Sequence, residues 1–227
     1  MSPSNDGYEF ADGIPLDPID PGATLLVAGP ALSKAEELAR SLVADSVYTD
    51  EGGLFISTNT TSKKLLKACN QTHSSLDTTR LGIVDCSGQG PIQFRDDVHV
   101  KYISTQSDLT GIGIKFTALY ESLYPNVAEG RIRTGVISLS SLLMYVDLRK
   151  LFQFAQTLSG RIESAEGLGI FAIDPTIQDT KTVNTFSQVT DGRIEVREPE
   201  EPEDGTDGEL RVRGLPNQPS GWQPFSL

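Results

Sequence analysis

The chain has 227 residues, with 31 Asp and Glu against 19 Lys and Arg for a formal charge of -12. A surface this acidic repels nucleic-acid phosphates and anionic membranes, because both are held by Lys and Arg in number. The length suits one domain whose core needs no staples, and two cysteines, Cys69 and Cys86, make neither a disulfide framework nor a zinc site, so both read as reduced.

Residues 1–20 are rich in Pro, Gly and Asp and read as a lead-in. TLLVA at 24–28 is a strand. Residues 33–44 follow as a helix, with Leu38, Leu42 and Val43 at helical spacing, Ser33 as N-cap and Glu36 completing a capping box. GLFIS at 53–57 is the next strand and 61–69 the next helix. Strands at 81–85 and 98–104 are joined by the Gly-rich loop SGQGPIQFRDD. Ile112, Phe116, Leu119, Tyr120 and Leu123 mark a helix over 110–124, stopped by Pro125. A strand at 136–139, a long helix over 142–158, a strand at 168–173 and a helix from Asp174-Pro175 to about 189 complete the alternation. Short apolar strands between helices predict an α/β fold: a mostly parallel central sheet with helices on both faces.

Residues 192–197 and 209–213 alternate polar with apolar around the acidic run EPEEPEDGTDG, which predicts an antiparallel β-hairpin at the sheet edge. The end, PNQPSGWQPFSL, is too Pro-rich for an element, and Trp222 and Phe225 lay it against the domain body. The chain thus divides into a lead-in (1–20), an α/β core (21–197), an acidic hairpin loop (198–208) and a C-terminal strand and tail (209–227).

The turn LLVAGPALSKAEEL is where such a sheet would hold a phosphate, since backbone N–H groups at a helix start converge there with a Lys. The spacing from Gly29 to Lys34 is one residue short of the phosphate-loop motif. Ser33 replaces its second Gly, and Ala35 occupies the position of the magnesium-binding hydroxyl. A tight turn with a solvated Lys accounts for these residues. A degenerate phosphate grip through Gly29, Pro30, Ser33 and Lys34 is the alternative.

The segments LLVAGPALSKAEELA, GVISLSSLLMYVDLRKLFQFAQTLSGRI, GLGIFAIDP, DGRIEVRE and ELRVRGLPNQPSGWQPF together resemble the RecA/KaiC superfamily, in particular divergent KaiC-like proteins of halophilic archaea, from about Gly22 onward. The resemblance implies a RecA-like P-loop NTPase-type core. It also locates what is missing. The superfamily's magnesium aspartate falls on Ile137, and its water-activating carboxylates fall on the run Thr58-Asn59-Thr60-Thr61. Phosphoryl transfer rests on positioning and electrostatics, so loss of metal, base and cradle together implies lost hydrolysis. Arg211 and Arg213 match a basic pair that reaches a neighbouring subunit's nucleotide, which implies a subunit contact; charged residues guarding an edge strand would look the same.

The remaining candidates are weaker. His73 and His99 stand far apart without a ligand cluster. Cys86 on its turn has no His partner and reads as a small buried thiol. Asp85 and Asp174 end apolar strands at the edge where α/β proteins bind ligands, although capping the next turn is their commoner use. No stretch approaches the roughly 20 apolar residues of a membrane span, and the opening MSPSNDGYEF has neither the basic nor the apolar region of a signal peptide. The expected protein is cytoplasmic and non-catalytic: a KaiC-like regulator or scaffold with no resident metal or cofactor, acting on a protein partner or as a homo-oligomer. ATP binding with weak hydrolysis, with Asp85 as a substitute metal ligand, is the competing reading. The spread acid excess fits a protein kept soluble in concentrated salt, or an ordinary acidic one.

Overall fold

The computed structural model describes residues 7–48, 50–72, 77–90, 98–200 and 205–227. Nine strands form one sheet: β1 (Thr24–Ala28), β2 (Gly52–Ser57), β3 (Leu81–Asp85), β4 (His99–Tyr102), β5 (Ile132–Val136), β6 (Leu168–Ile173), β7 (Gly192–Arg197), β8 (Gly208–Arg213) and β9 (Gln223–Phe225), in the order β4-β3-β2-β5-β6-β1-β7-β8-β9. From β4 through β7 every pairing is parallel, and β8 and β9 add antiparallel strands at one end. Strands β1, β2, β3, β5 and β6 are buried along their whole length, as a parallel sheet covered on both faces requires.

Among the described residues six α-helices cover the sheet. Helices α1 (Ala35–Ala44) and α2 (Ser62–Thr72) pack on one face, where Leu38, Leu42, Leu65 and Leu66 meet Leu25, Val27 and Phe55. On the other face lie α3 (Leu109–Leu123), α4 (Leu139–Leu142), α5 (Leu148–Ser164) and α6 (Thr180–Phe186), with Phe116, Leu142, Leu158 and Phe186 against Leu26, Ile56 and Phe171. The neighbours β1 and β6 therefore send their chains to opposite faces, and so do β2 and β5. Each divergence opens a crevice at the carboxyl ends of the strands.

Several expected elements change. The strand expected at 136–139 lies earlier, as β5, because buried Arg133 is neutralised by Glu51 and donates to the carbonyls of Leu42 and Glu9. The helix expected over 142–158 divides into α4, capped by Ser138, and α5, capped by Asp147, and Gly160 lies inside α5 rather than near a stop. The helix expected from Pro175 begins only at Thr180, after its Asp179 cap. The tail contributes β9 on the outer side of β8, so β8 is not an edge strand. His73 lies outside the described residues, as do 91–97 of the Gly-rich loop and 201–204 of the acidic loop.

Residues 7–19 pack tightly against the sheet. Tyr8 and Ile19 exchange backbone hydrogen bonds of 2.7 and 3.0 Å, the Tyr8 hydroxyl donates to the carbonyl of Glu166, and the Arg131 guanidinium lies 4.3 Å from the Tyr8 ring centre. At the other end Phe225 is buried, and Trp222 stacks under Arg197 and Arg211. No helix among the described residues is long and apolar enough to cross a membrane.

Candidate functional site

The turn after β1, the loop after β2 and the loops after β5 and β6 meet at the carboxyl edge around a cavity of about 190 Å³. Gly29, Glu36, Asn59, Ile137 and Asp174 all line it. The fold thus assembles in one place the positions singled out as phosphate loop, magnesium ligand and water activator.

What those residues do there differs from the motif. Gly29 is a packing glycine: a Cβ would lie 2.6 Å from Ser33 Oγ, 2.7 Å from Ala35 Cβ and 2.8 Å from the Val196 carbonyl. Ser33 is buried, and both its backbone N–H (3.0 Å) and its hydroxyl (2.7 Å) donate to the Pro30 carbonyl. The turn is closed on itself. Ser33 is therefore not the N-cap; Lys34 holds that position in the left-handed region (φ 63), without a side-chain cap. The expected capping box is absent because Glu36 faces Asn59, which donates to its two carboxylate oxygens at 2.9 and 3.0 Å. Lys34 pairs with Glu37 at 2.9 Å.

The positive end of α1 is thus met by the chain's own carboxylates, Glu36 and Glu37, in the first turn. Burial pushes the Glu36 carboxyl above the usual range, against the Asn59 hydrogen bond and the Arg40 charge. An ATP–magnesium polyphosphate does not fit these residues. Its phosphates would meet a carboxylate, the turn offers no open cradle, and buried Ile137 supplies no ligand. The cavity is also below the roughly 300 Å³ at which small-molecule pockets begin.

The other carboxylates serve the backbone. Asp85 is buried; one of its oxygens accepts from the backbone and hydroxyl of Ser62, both at 2.7 Å, and the other from the Ser87 N–H at 2.9 Å. Burial alone would raise its pKa, but these bonds win and hold it below the usual range. It caps α2, which leaves it poorly placed as a metal ligand. Asp174 accepts from the backbone and hydroxyl of Thr176 in a local turn. Among the described residues no group of three or more His, Cys, Asp or Glu side chains could hold a metal. Cys69 and Cys86 are buried free thiols, each pushed up to about 12 by burial, and His99 is half-buried on β4.

Arg211 and Arg213 both pair with Glu195 on β7, Arg213 at 3.1 Å. Arg211 also stacks 4.5 Å from the centre of the Trp222 ring, whereas Arg213 is the more exposed of the two. Sequence reasoning missed the rim of the cavity. Leu32, Met144 and Ile177 are 81%, 75% and 64% exposed, and Tyr145 is 54% exposed. Met144 and Ile177 line the cavity, while Leu32 and Tyr145 directly adjoin lining residues in the chain. The one available signal was large apolar residues inside turns, after β1, between α4 and α5 and after β6, where polar ones are usual.

The profile of a family described as "Family of unknown function (DUF7504)" matches residues 22–196, most of the chain. The chain belongs to that family. The family's span opens just before β1 and closes in β7, so β8 and β9 lie beyond it. No curated protein matches the sequence. Among solved structures, the KaiC-like protein PH0186 of the hyperthermophilic archaeon Pyrococcus horikoshii OT3 superposes with a TM-score of 0.67 over 96% of this chain and 92% of that one, at 11% identity. Such a likeness establishes a shared fold. The family member described here has a RecA/KaiC-like α/β core with a C-terminal antiparallel hairpin.

Proposed function

We propose that this chain is a KaiC-like regulatory or scaffold protein that works through protein–protein contacts at the carboxyl edge of its sheet, without nucleotide hydrolysis. The observation that carries the reading is the Glu36–Asn59 pair, which places an internal carboxylate at the head of α1 where a phosphate would otherwise bind. The rim supports it. Among the described residues, four of the six large apolar side chains that are strongly exposed, Leu32, Met144, Tyr145 and Ile177, gather at this edge, and such patches mark interaction sites. The partner that suits them is a protein surface with an apolar centre. Arg213, on the far hairpin, is the remaining cation for a subunit contact. The acid excess of -12 supports life in a salty cytoplasm, where dense carboxylates keep a protein soluble.

Two experiments test the reading. ATP turnover by the wild type should not exceed background; a turnover that Lys34→Ala abolishes would favour an ATP-driven switch instead. Capture from native lysate at high salt should yield a prey that the doubly substituted Leu32→Asp, Met144→Asp chain loses and that Ile114→Asp, exposed on α3 and outside the cavity lining, keeps. A prey retained by the rim variant would exclude the rim, and a shift in sedimentation of the pure protein that the rim variant loses would make the partner a second copy.

A further inference from the structure

Helix α3 is apolar nearly all round. Only Lys115 and Glu121 among its fifteen residues are charged. Ile112, Phe116, Leu119 and Leu123 are buried against the sheet, yet Ile114 is 62% exposed and Ala118, one turn on, is exposed too. A helix without a polar face is normally covered. Beside it runs α5, the next crossover helix of the parallel sheet, and between the two lies a trough of about 730 Å³, several times the cavity at the carboxyl edge. Ile114 and Phe154 line it. The hydroxyls of Thr117 and Thr157, also in its walls, donate to the carbonyls of Gly113 and Gln153 one turn back, at 3.0 and 2.9 Å, so neither needs a partner from outside.

Charge points to what covers this face. In a chain with 31 acidic residues against 19 basic ones, the trough is lined by one carboxylate, Glu121 on α3, and two cations, Lys150 and Arg161 on α5. Two chains of charge -12 repel each other over most of their surface, and a stretch almost bare of acid is where they can approach. The charges that remain are self-complementary. Lys150 pairs with Asp147 at 3.3 Å, whereas among the described residues neither Glu121 nor Arg161 has an ion pair; Arg161 donates to Thr117, one turn before Glu121. A two-fold axis along the trough would lay α3 of each copy on α5 of the other and set each Glu121 toward the partner's Arg161.

We propose that the α3–α5 face is a self-association surface on which two copies of this chain pair about a two-fold axis, with Ile114 and Phe154 at its apolar centre. Helices of 15 and 17 residues, each about 10 Å across, offer roughly 450 Å² per copy, the size of a weak and reversible dimer. The trough shares no lining residue with the cavity at the carboxyl edge, so the pairing is independent of docking there.

Sedimentation velocity of the pure full chain in high salt, from about 10 μM to about 1 mM, tests it, because a contact of this size gives a Kd within that span. The wild type should pass from monomer to dimer. Ile114→Asp should weaken the dimer about tenfold or more, the scale of burying one Ile side chain. Glu121→Arg and Arg161→Glu should each weaken it by setting like charges face to face, and the double reversal should restore it. The Leu32→Asp, Met144→Asp chain should dimerise as the wild type does. A monomer throughout, a dimer indifferent to Ile114→Asp, a double reversal that restores nothing, or a dimer lost only in the rim variant would overturn it; the last result would put the second copy at the carboxyl edge.

Discussion

Asp85 shows how a carboxylate at the edge where ligands bind can be fully used in holding the fold. Replacing it with Ala leaves the Ser62 N–H at the start of α2 and the Ser87 N–H after β3 unpaired, and stability should fall by about 1–3 kcal/mol in a denaturant melt. Glu195 makes a pH prediction. Burial alone would raise its pKa, but the hydrogen bonds from Arg211 and Arg213 and the charge of Arg193 outweigh burial, so the folded value lies below the unfolded one. Its stabilisation is therefore complete at neutral pH and is lost as pH falls through that depressed value. Glu195→Gln should lower the melting temperature at neutral pH, and the gap to the wild type should close in acid. At Gly29, Ser33 and Lys34 the sequence indicated the right place but not the use. The shortened motif was visible, whereas the Glu36–Asn59 pair joins residues from two separate turns and leaves no local pattern.

At the scale of elements, strands β1, β2, β3 and β6 are legible because uninterrupted apolar runs bounded by turns allow little else. Strand β5 was displaced because IRTGV carries an Arg that no apolar pattern places inside; its neutralising partner, Glu51, lies across the sheet's amino end. Arg133→Met should cost roughly 3 kcal/mol by taking away the closer partner of buried Glu51 and leaving it only Arg131 at 3.6 Å, and adding Glu51→Gln should recover part of the loss in urea unfolding. The strand β9 was hidden by Pro224, which is tolerated there because β9 is the outermost strand. Phe225→Ala should cost about 3 kcal/mol, since its ring fills the space above Gly208.

On the scale of the whole molecule, α/β alternation and the closing hairpin made the fold class readable, the quoted segments resembled a RecA/KaiC-like core, and the match to PH0186 extends that fold across 96% of the chain. The sequence does not show what the carboxyl edge has become. Its two crevices follow from which face each helix takes, and its apolar rim comes from four separate residues in three turns. The central claim is that the turn after β1 is closed around the chain's own carboxylates and does not take a nucleotide. Thermal unfolding with and without ATP and magnesium, in high salt, tests this most directly. The account predicts that millimolar ATP leaves the midpoint of the wild type unmoved, as it leaves that of Lys34→Ala. It would be contradicted by a rise in the wild type alone, on the scale of the roughly 2.7 kcal/mol that a ligand at a hundredfold excess over its Kd confers.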